Sequence, residues 1–215
     1  MIPETFDSLT PETLRSYFQN ADIAPECSTN FSIRGDHDLN PDPEFAPTPP
    51  LRPAAVLVPL VDRRPNGVTI IFTKRTAHLA AHAGQISFPG GHIEPEDVDP
   101  AAAALRETEE EIGLARRHVE LIGRLDTYIT RTGFLVTPIV GLITPPFTLH
   151  PDPEEVAEVF EAPLSLFLTP DMPHRMSRDI MGVERSFYAF PWKQYFIWGA
   201  TAGMLVNLRD VLLTR

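Results

Sequence analysis

Residues 90–114 read Gly-Gly-His-Ile-Glu-Pro-Glu-Asp-Val-Asp-Pro-Ala-Ala-Ala-Ala-Leu-Arg-Glu-Thr-Glu-Glu-Glu-Ile-Gly-Leu. The glycine pair predicts a turn, and the rest of the stretch predicts a helix. Asp99 is a good N-cap, Pro100 suits the first helical position, and Gly113 suits the C-cap. The alanine-rich run after Pro100 also favours helix. We therefore expect one short helix that packs by its Ala/Leu/Ile side.

Three carboxylates stand close together on this predicted helix. Glu107, Glu110 and Glu111 are spaced i, i+3 and i+4, which puts them on one helix face. Each like-charge pair costs roughly 0.2–0.5 kcal/mol on an exposed helix. The helix dipole also disfavours negative charge in the last turns. An arbitrary acidic run is most often a solvated face. Here a bound hard cation such as Mg²⁺, which takes oxygen ligands, would relieve the repulsion.

The same residues carry a family resemblance. Residues 106–114 resemble the Nudix hydrolase signature Arg-Glu-U-x-Glu-Glu-x-Gly-U, in which U is apolar. In that family the upstream glycine is normally followed by five residues, a Glu, seven residues and the Arg. Here Gly91 is followed by five residues, Asp97, eight residues and Arg106, and Thr108 replaces an apolar residue. The departures bear on Asp97 and leave the three downstream carboxylates untouched.

A second stretch narrows the resemblance. Residues 73–91 are similar to the extra motif that precedes the Nudix box in coenzyme A diphosphatases. Residues 155–160 and 195–199 also fit that subfamily, so the resemblance covers about residues 51–213. The matching positions of the upstream motif are Thr73, Arg75, Leu79, His82, Gly84, Gln85 and residues 87–91.

The resemblance implies an activity and a set of site residues. The expected reaction is hydrolysis of the diphosphate of coenzyme A or acyl-CoA, dependent on Mg²⁺ or Mn²⁺. Its products would be adenosine 3′,5′-bisphosphate and 4′-phosphopantetheine or its acylated form. The implied catalytic residues are Glu107, Glu110, Glu111 and Arg106, and the implied metal ligands are Glu107, Glu110, Glu111 and the carbonyl of Gly91.

The implied substrate-binding residues are Arg75, His82, Gln85 and Gly90. Arg75 is the best phosphate ligand among them, because a guanidinium can hold two oxygens at once. His82 is either a substrate contact or a packed structural histidine. His78 and His82 have a spacing that can bind zinc, but no third ligand is evident. Gly90 would permit close approach of the backbone.

Several alternatives stay open. The substrate could be another nucleoside diphosphate derivative, such as ADP-ribose, or a nucleoside triphosphate. The domain could also bind a nucleotide without catalysis, although the intact set of three glutamates argues against this. One of Glu155, Glu158 and Glu161 could orient water, while each alone has an ordinary structural explanation. Tyr195 and Trp198 are expected in the core rather than against adenine.

Composition sets the outer limits. A chain of 215 residues can form one substantial core. Its net charge of −11 argues against nucleic-acid binding, and no apolar run is long enough to span a membrane. The acidic start lacks a basic signal-peptide region, and Cys27 is the single cysteine, so we expect a cytoplasmic protein without an internal disulfide. A homodimer is compatible with the sequence.

The composition and hydrophobic pattern of the chain change near residue 50. Residues 1–50 are expected to form a helical and proline-rich appendage, and residues 51–215 a Nudix hydrolase domain. The order of predicted strands and helices indicates an α+β fold, and the resemblance implies an α/β/α sandwich around a mixed β-sheet, with an N-terminal helical arm. Strands are expected at 54–61, 68–73, 120–128, 135–143, 156–160 and 185–192, and helices at about 10–19, 100–112, 164–168 and 199–213.

Overall fold

The computed structural model describes residues 9–18, 32–41, 49–77, 84–180 and 182–214. Its helices are α1 (Pro11–Phe18), α2 (Pro100–Ile112), α3 (Leu164–Leu168) and α4 (Ala200–Leu213). Its strands are β1 (Ile33–Gly35), β2 (Arg52–Asp62), β3 (Val68–Arg75), β4 (Ile86–Ser87), β5 (Gly90–His92), β6 (Val119–Arg124), β7 (Thr127–Ile129), β8 (Phe134–Ile143), β9 (Val156–Pro163), β10 (His174–Ile180), β11 (Val183–Trp192) and β12 (Tyr195–Trp198).

Within the described residues, nine strands form one mixed sheet, and β10, β11 and β12 form a separate antiparallel sheet. The order β1-β7-β8-β2-β3-β4 runs through the large sheet, with β1 parallel to β7 and β2 parallel to β8. Strand β2 changes partners along its length: its first half pairs with β5 and its second half with β3. The sheet therefore splits beside the glycine pair.

Alternation along β2 assigns the two faces of the sheet. Ala55 and Leu57 pack against the alanines of α2, whereas Val58 and Leu60 belong to the core beneath α1, α3 and α4. A strand with both faces covered reads as a nearly continuous apolar run, which is what residues 54–61 show. The predicted α+β sandwich around a mixed sheet is confirmed.

Most predicted elements are present, but β1, β4, β5 and β12 were not predicted and two regions differ from the expected strands. Residues 120–128 form two strands rather than one, because β6 ends at Arg124 and β7 begins at Thr127. The hairpin of β10 and β11 extends further upstream than the strand expected at 185–192. No helix of the described residues is both long enough and apolar enough to cross a membrane.

The described part of residues 1–50 packs on the same core. Leu14 and Phe18 of α1 are buried, and β1 extends the large sheet beside β7. Arg34 bonds Asp126 at 2.9 Å and Asp210 of α4 at 2.7 Å, which ties β1 to the C-terminal helix. The division at residue 50 stays a prediction, and these contacts argue that the appendage contributes stability.

Candidate active site

The ends of α2 are formed as the sequence predicts. The Asp99 side chain accepts a hydrogen bond from the Ala102 N–H at 2.7 Å, and Pro100 begins the helix. Gly113 ends it in the left-handed conformation, with φ of 67°. These caps satisfy backbone groups that a helix terminus leaves unpaired, so they fix where the acidic face of α2 lies.

The glycine pair lets the loop approach both β2 and α2. Gly90 has φ of 147°, and a Cβ there would lie 2.4 Å from the Ala55 carbonyl oxygen. A Cβ on Gly91 would lie 2.5 Å from Oε2 of Glu107. Both positions therefore require glycine, and the backbone of Gly91 lies directly against a predicted metal ligand.

Arg106 is the hub that organises the acidic face. It donates to Asp97 at 2.9 and 3.1 Å, to Glu107 at 3.0 Å and to Glu110 at 3.0 Å. It also donates to the backbone carbonyl of His92 at 3.1 Å, which fastens α2 to the glycine loop. The positive charge of one guanidinium group is thus shared among three carboxylates.

Asp97 acquires a role that the sequence did not predict. Its carboxylate is almost fully buried and accepts from two nitrogens of Arg106 and from the Glu94 N–H at 2.9 Å. Hydrogen bonds from Arg106 hold the pKa of Asp97 below its ordinary value. Asp97 therefore positions Arg106. Its place in the signature, despite the extra residue, was the available signal.

Glu111 is the most buried carboxylate of the site, with a side chain 6% exposed. Burial raises its pKa from 4.5 to about 7; the Gly90 N–H and Arg75 oppose the shift, and Glu155 and Glu107 add to it. The Gly90 N–H donates to it at 3.1 Å, and Nη1 of Arg75 lies 3.6 Å away. A buried anion with incomplete neutralisation is a frequent feature of functional sites.

Glu107 has a similar environment. Burial raises its pKa; Arg106 opposes the shift, whereas Glu110 and Glu155 add to it. Glu110 differs, because its side chain is 61% exposed and points to Arg106. The structure therefore brings the partly buried Glu107 and the buried Glu111 together and leaves Glu110 at the rim.

Glu155 lies near enough to raise the pKa values of both buried glutamates. The segment before it is fastened to the end of α2, because the Asp152 N–H donates to the Glu111 carbonyl at 2.9 Å. The Glu155 carbonyl accepts from the Thr76 N–H at 3.0 Å, just beyond β3. This placement favours Glu155 as the additional acid of the site.

The two other candidates of that segment have structural partners. Glu158 accepts a hydrogen bond from the Tyr195 hydroxyl. Glu161 accepts from Arg63 at 3.0 Å and from Thr69 at 2.6 Å. Tyr195 is buried and its ring stacks on Phe160 with centroids 3.6 Å apart, so the expectation of a core tyrosine agrees with its packing.

The upstream motif reaches the acidic face through Arg75. Strand β3 has an irregular register between Lys74 and Arg75, and the Arg75 N–H donates to the Gln85 carbonyl at 2.9 Å. Gln85 therefore lies beside the arginine that approaches Glu111. His78 and His82 lie outside the described residues, so their predicted roles stay predictions.

The donor atoms suit a hard divalent cation, because they are carboxylate oxygens and the glycine backbone at Gly91 lies directly beside them. Among the described residues, no three acidic or histidine side chains already converge as a ligand cage. The ion pairs explain this: Arg106 draws Glu110 outward, and Arg75 lies beside Glu111. The incomplete neutralisation of Glu107 and Glu111 remains, and it fits a cation that joins the site.

A cavity of about 280 Å³ lies elsewhere, lined by residues 34–36, Tyr128, Tyr188 and Val206 among others. Its lining includes none of the predicted site residues. The chemistry of the carboxylates, rather than the size of a cavity, thus identifies the candidate site.

Comparisons with known proteins agree with this geometry. The NUDIX domain family model matches residues 50–182. A relative from Photorhabdus laumondii, named uncharacterized Nudix hydrolase NudL, is 41% identical over 157 residues, which is 73% of this chain and 83% of the relative. A relative of the same name from Enterobacter is 43% identical over 157 residues, which is 73% of this chain and 81% of the relative. A Nudix hydrolase from M. smegmatis, RenU, is a structural neighbour at 17% identity, with a TM-score of 0.49 over 76% of this chain and 86% of that one.

Nudix hydrolases act on nucleoside diphosphate derivatives and generally use divalent metal ions. The family match covers more than half of the chain and includes the glycine pair, Arg106, and Glu107, Glu110 and Glu111 of α2. Together with the two relatives, it shows that this chain belongs to the Nudix hydrolase family.

Proposed function

We propose that this Nudix hydrolase cleaves the diphosphate of coenzyme A or acyl-CoA with Mg²⁺ or Mn²⁺. The products are adenosine 3′,5′-bisphosphate and 4′-phosphopantetheine or its acylated form. One observation carries the proposal: Arg75, from the motif that resembles coenzyme A diphosphatases, lies 3.6 Å from Glu111 of the Nudix helix. This contact supports the proposal that the motif resembling coenzyme A diphosphatases and the Nudix motif serve one site.

The residues divide the work of binding the cation. Glu107, Glu111 and the Gly91 carbonyl would hold the cation from the inner side, since the Gly91 backbone abuts Glu107, and Glu110 would contribute from the rim. When bound, a divalent cation neutralises diphosphate oxygens and lowers the pKa of water. The Gly90 N–H holds Glu111 in place by donating one hydrogen bond to its carboxylate.

The remaining residues orient the reaction. Asp97 fixes Arg106, and Arg106 fixes Glu107, which limits the freedom of the acidic face. Arg75 is free to exchange its long contact with Glu111 for diphosphate oxygens, to which a guanidinium can donate twice. Glu107, Glu110 or Glu111 serves as the base toward water, and Glu155 is the further acid within electrostatic reach.

The test is a substrate panel with product analysis. The purified protein is incubated with coenzyme A, acetyl-CoA, ADP-ribose and a nucleoside triphosphate, each with Mg²⁺ and with Mn²⁺ in ¹⁸O-water. We expect adenosine 3′,5′-bisphosphate and a 4′-phosphopantetheine product, with the label in one of the two. Preferential cleavage of ADP-ribose would overturn the substrate assignment, and binding without turnover would overturn catalysis. A cytoplasmic location and a homodimer stay predictions.

A further inference from the structure

A cation and two aromatic rings form a layered stack beside the glycine loop. The guanidinium carbon of Arg52 lies 3.9 Å from the centroid of the Phe134 ring, and the His92 ring meets Phe134 with centroids 5.2 Å apart. Strand β2 lies between β5 and β8, with Ala54 paired to His92 and Arg52 paired to Phe134. We call Arg52, Phe134 and His92 the rim stack.

Arg52 is held in place without being neutralised. Its Nη2 donates to the Thr132 carbonyl at 2.8 Å, and its guanidinium face lies on Phe134. Among the described residues, no carboxylate forms an ion pair with it, whereas Arg63, Arg64 and Arg106 each have at least one such partner. The residue is exposed, so its other N–H groups face solvent. An anchored arginine with unused donors is suited to bind an anion.

The rim stack lies one residue from the proposed metal site. His92 directly follows Gly91, whose backbone abuts Glu107, and the His92 carbonyl accepts from Arg106 at 3.1 Å. Successive residues of a strand point to opposite faces, so Gly91 faces α2 while the His92 side chain points away from it. The first residues of β2 pair with β5 and its last residues pair with β3, so the rim stack lies at the end of β2 that carries the glycine loop.

Arg52 and Arg75 therefore hold different positions around the same loop. Arg75 lies beside Glu111, where the diphosphate must bind if the acidic face holds the cation. Arg52 lies on the far side of the Gly91 backbone. In coenzyme A the second anionic group is the ribose 3′-phosphate, on the same sugar that carries the diphosphate.

We infer that Arg52, held by Phe134 beside His92, is a specificity-determining residue that binds the ribose 3′-phosphate of the substrate. This inference rests on the proposed function for the identity of the anion. It assigns Arg75 to the diphosphate, which every candidate substrate shares, and Arg52 to the group that distinguishes coenzyme A from dephospho-CoA.

The kinetic test compares Arg52→Ala with the wild-type protein on coenzyme A and dephospho-CoA. We expect kcat/KM for coenzyme A to fall about ten- to a hundred-fold, the range for a lost hydrogen bond to a charged group, mainly through KM. The value for dephospho-CoA should stay within about two-fold. Arg52→Lys should recover part of the loss, since it keeps the charge but not the planar stacking.

Two further variants make the result specific. Arg117→Ala removes the same charge from an exposed arginine that has no ion pair among the described residues, and it should leave the substrate preference unchanged. Phe134→Leu removes the ring under Arg52 and should weaken the preference for coenzyme A several-fold. An equal loss on both substrates in Arg52→Ala, or no loss on either, would overturn the inference.

A binding measurement separates this inference from the proposed function. Wild type and Arg52→Ala are titrated calorimetrically with adenosine 3′,5′-bisphosphate and with adenosine 5′-monophosphate in the presence of Mg²⁺. We expect wild type to bind the bisphosphate at least ten-fold more tightly, and Arg52→Ala to bind the two alike. This binding measurement needs no turnover of coenzyme A, so it still tests the role of Arg52 if the protein does not hydrolyse coenzyme A. Equal affinities in wild type would refute the role of Arg52.

Discussion

Glu161 and Glu107 are two partly buried glutamates that both contact an arginine, yet their pKa values shift in opposite directions. Their side chains are 26% and 18% exposed. At Glu161, burial alone would raise the pKa, but hydrogen bonds from Arg63 and Thr69 outweigh it and hold the pKa below the ordinary value. At Glu107, burial dominates and the pKa is raised.

The difference lies in how the positive charge is shared. Glu161 has Arg63 for itself and accepts two hydrogen bonds from it. Glu107 shares Arg106 with Asp97 and Glu110. A carboxylate with complete compensation needs no further ligand, whereas the acidic face of α2 keeps uncompensated charge that suits a cation. Compensation, rather than burial, separates the structural acid from the candidate catalytic one.

The largest expected effect comes from comparing Glu111→Gln with Glu161→Gln. Glutamine keeps an oxygen that can accept the Gly90 N–H, so Glu111→Gln should fold. Turnover should fall about 10²–10⁴-fold, as for loss of a positioned acid–base group, because the buried negative charge is gone. Glu161→Gln should lower stability and leave turnover within a few-fold.

Steady-state kinetics at saturating Mg²⁺ and a thermal melt of each variant check this pair. If Glu161→Gln lost as much turnover as Glu111→Gln without unfolding, the pattern of compensation would not identify the catalytic acids. Near-normal turnover of Glu111→Gln would remove Glu111 from the site.

The sequence predicted the acidic face well because local rules determine it. The caps at Asp99 and Gly113 and the i, i+3, i+4 spacing are properties of one helix, so they follow from neighbouring residues alone. Even the substitution at Thr108 has a local account: its buried hydroxyl donates to the Ala104 carbonyl at 2.6 Å, one turn earlier.

The features that the sequence left open or did not predict depend on contacts between residues far apart along the chain. Glu155 approaches α2 only because the chain after β8 is fastened to the end of that helix. The short strands β1, β4 and β5 have too few residues for a periodic pattern, and pairing with neighbours defines them. The divided neutralisation by Arg106 likewise follows from tertiary placement, so spacing alone could not distinguish Glu110 from Glu111.

The next prediction tests whether residues 51–215 hold the active site without residues 1–50. Removing residues 1–50 deletes buried Leu14 and Phe18, and burying such side chains contributes about 1.5–3 kcal/mol each. We expect the truncated protein to melt roughly 6–24 °C below the full chain, at about 2–4 °C per kcal/mol for this size. It should keep measurable turnover, because the carboxylates of α2 and their partners all lie beyond residue 50. An unchanged melting temperature would show that the appendage is independent of the core, and insolubility would show that the boundary at residue 50 is wrong.

The third prediction concerns the pH dependence of metal-free stability. The pKa of Glu111 is raised to about 7 from 4.5, so between these values the folded protein keeps a proton that the unfolded chain releases. Stability from this group is complete below pH 4.5 and is lost as pH rises through 7. Relative to wild type, Glu111→Gln should gain on the order of 2 kcal/mol between pH 5.5 and pH 8, at about 1.4 kcal/mol per unit.

Thermal melts of both proteins in EDTA at the two pH values give this difference, and Mg²⁺ then sharpens it. The cation should raise the melting temperature of wild type more at pH 8 than at pH 5.5, and should barely move that of Glu111→Gln. A pH-independent difference between the two proteins would contradict the buried, partly neutralised carboxylate.

The smallest effect is expected at Glu110, which shares one property with Glu161 and another with Glu107. Its side chain is 61% exposed and bonds Arg106, so it resembles Glu161 in having a partner and Glu107 in sharing it. Glu110→Gln removes charge at the rim rather than within the site, so turnover at saturating Mg²⁺ should fall only about ten-fold, well short of the 10²–10⁴-fold expected at a buried acid–base position. The concentration of Mg²⁺ giving half-maximal rate should rise, because the rim charge helps to attract the cation. Glu96→Gln, which removes one negative charge from an exposed position outside the proposed site, is assayed in parallel and controls for the change in net charge. A loss equal to that of Glu111→Gln, not restored by more Mg²⁺, would mean that Glu110 releases Arg106 and turns inward to hold the cation. Side-chain exposure would then not indicate which of Glu107, Glu110 and Glu111 holds it.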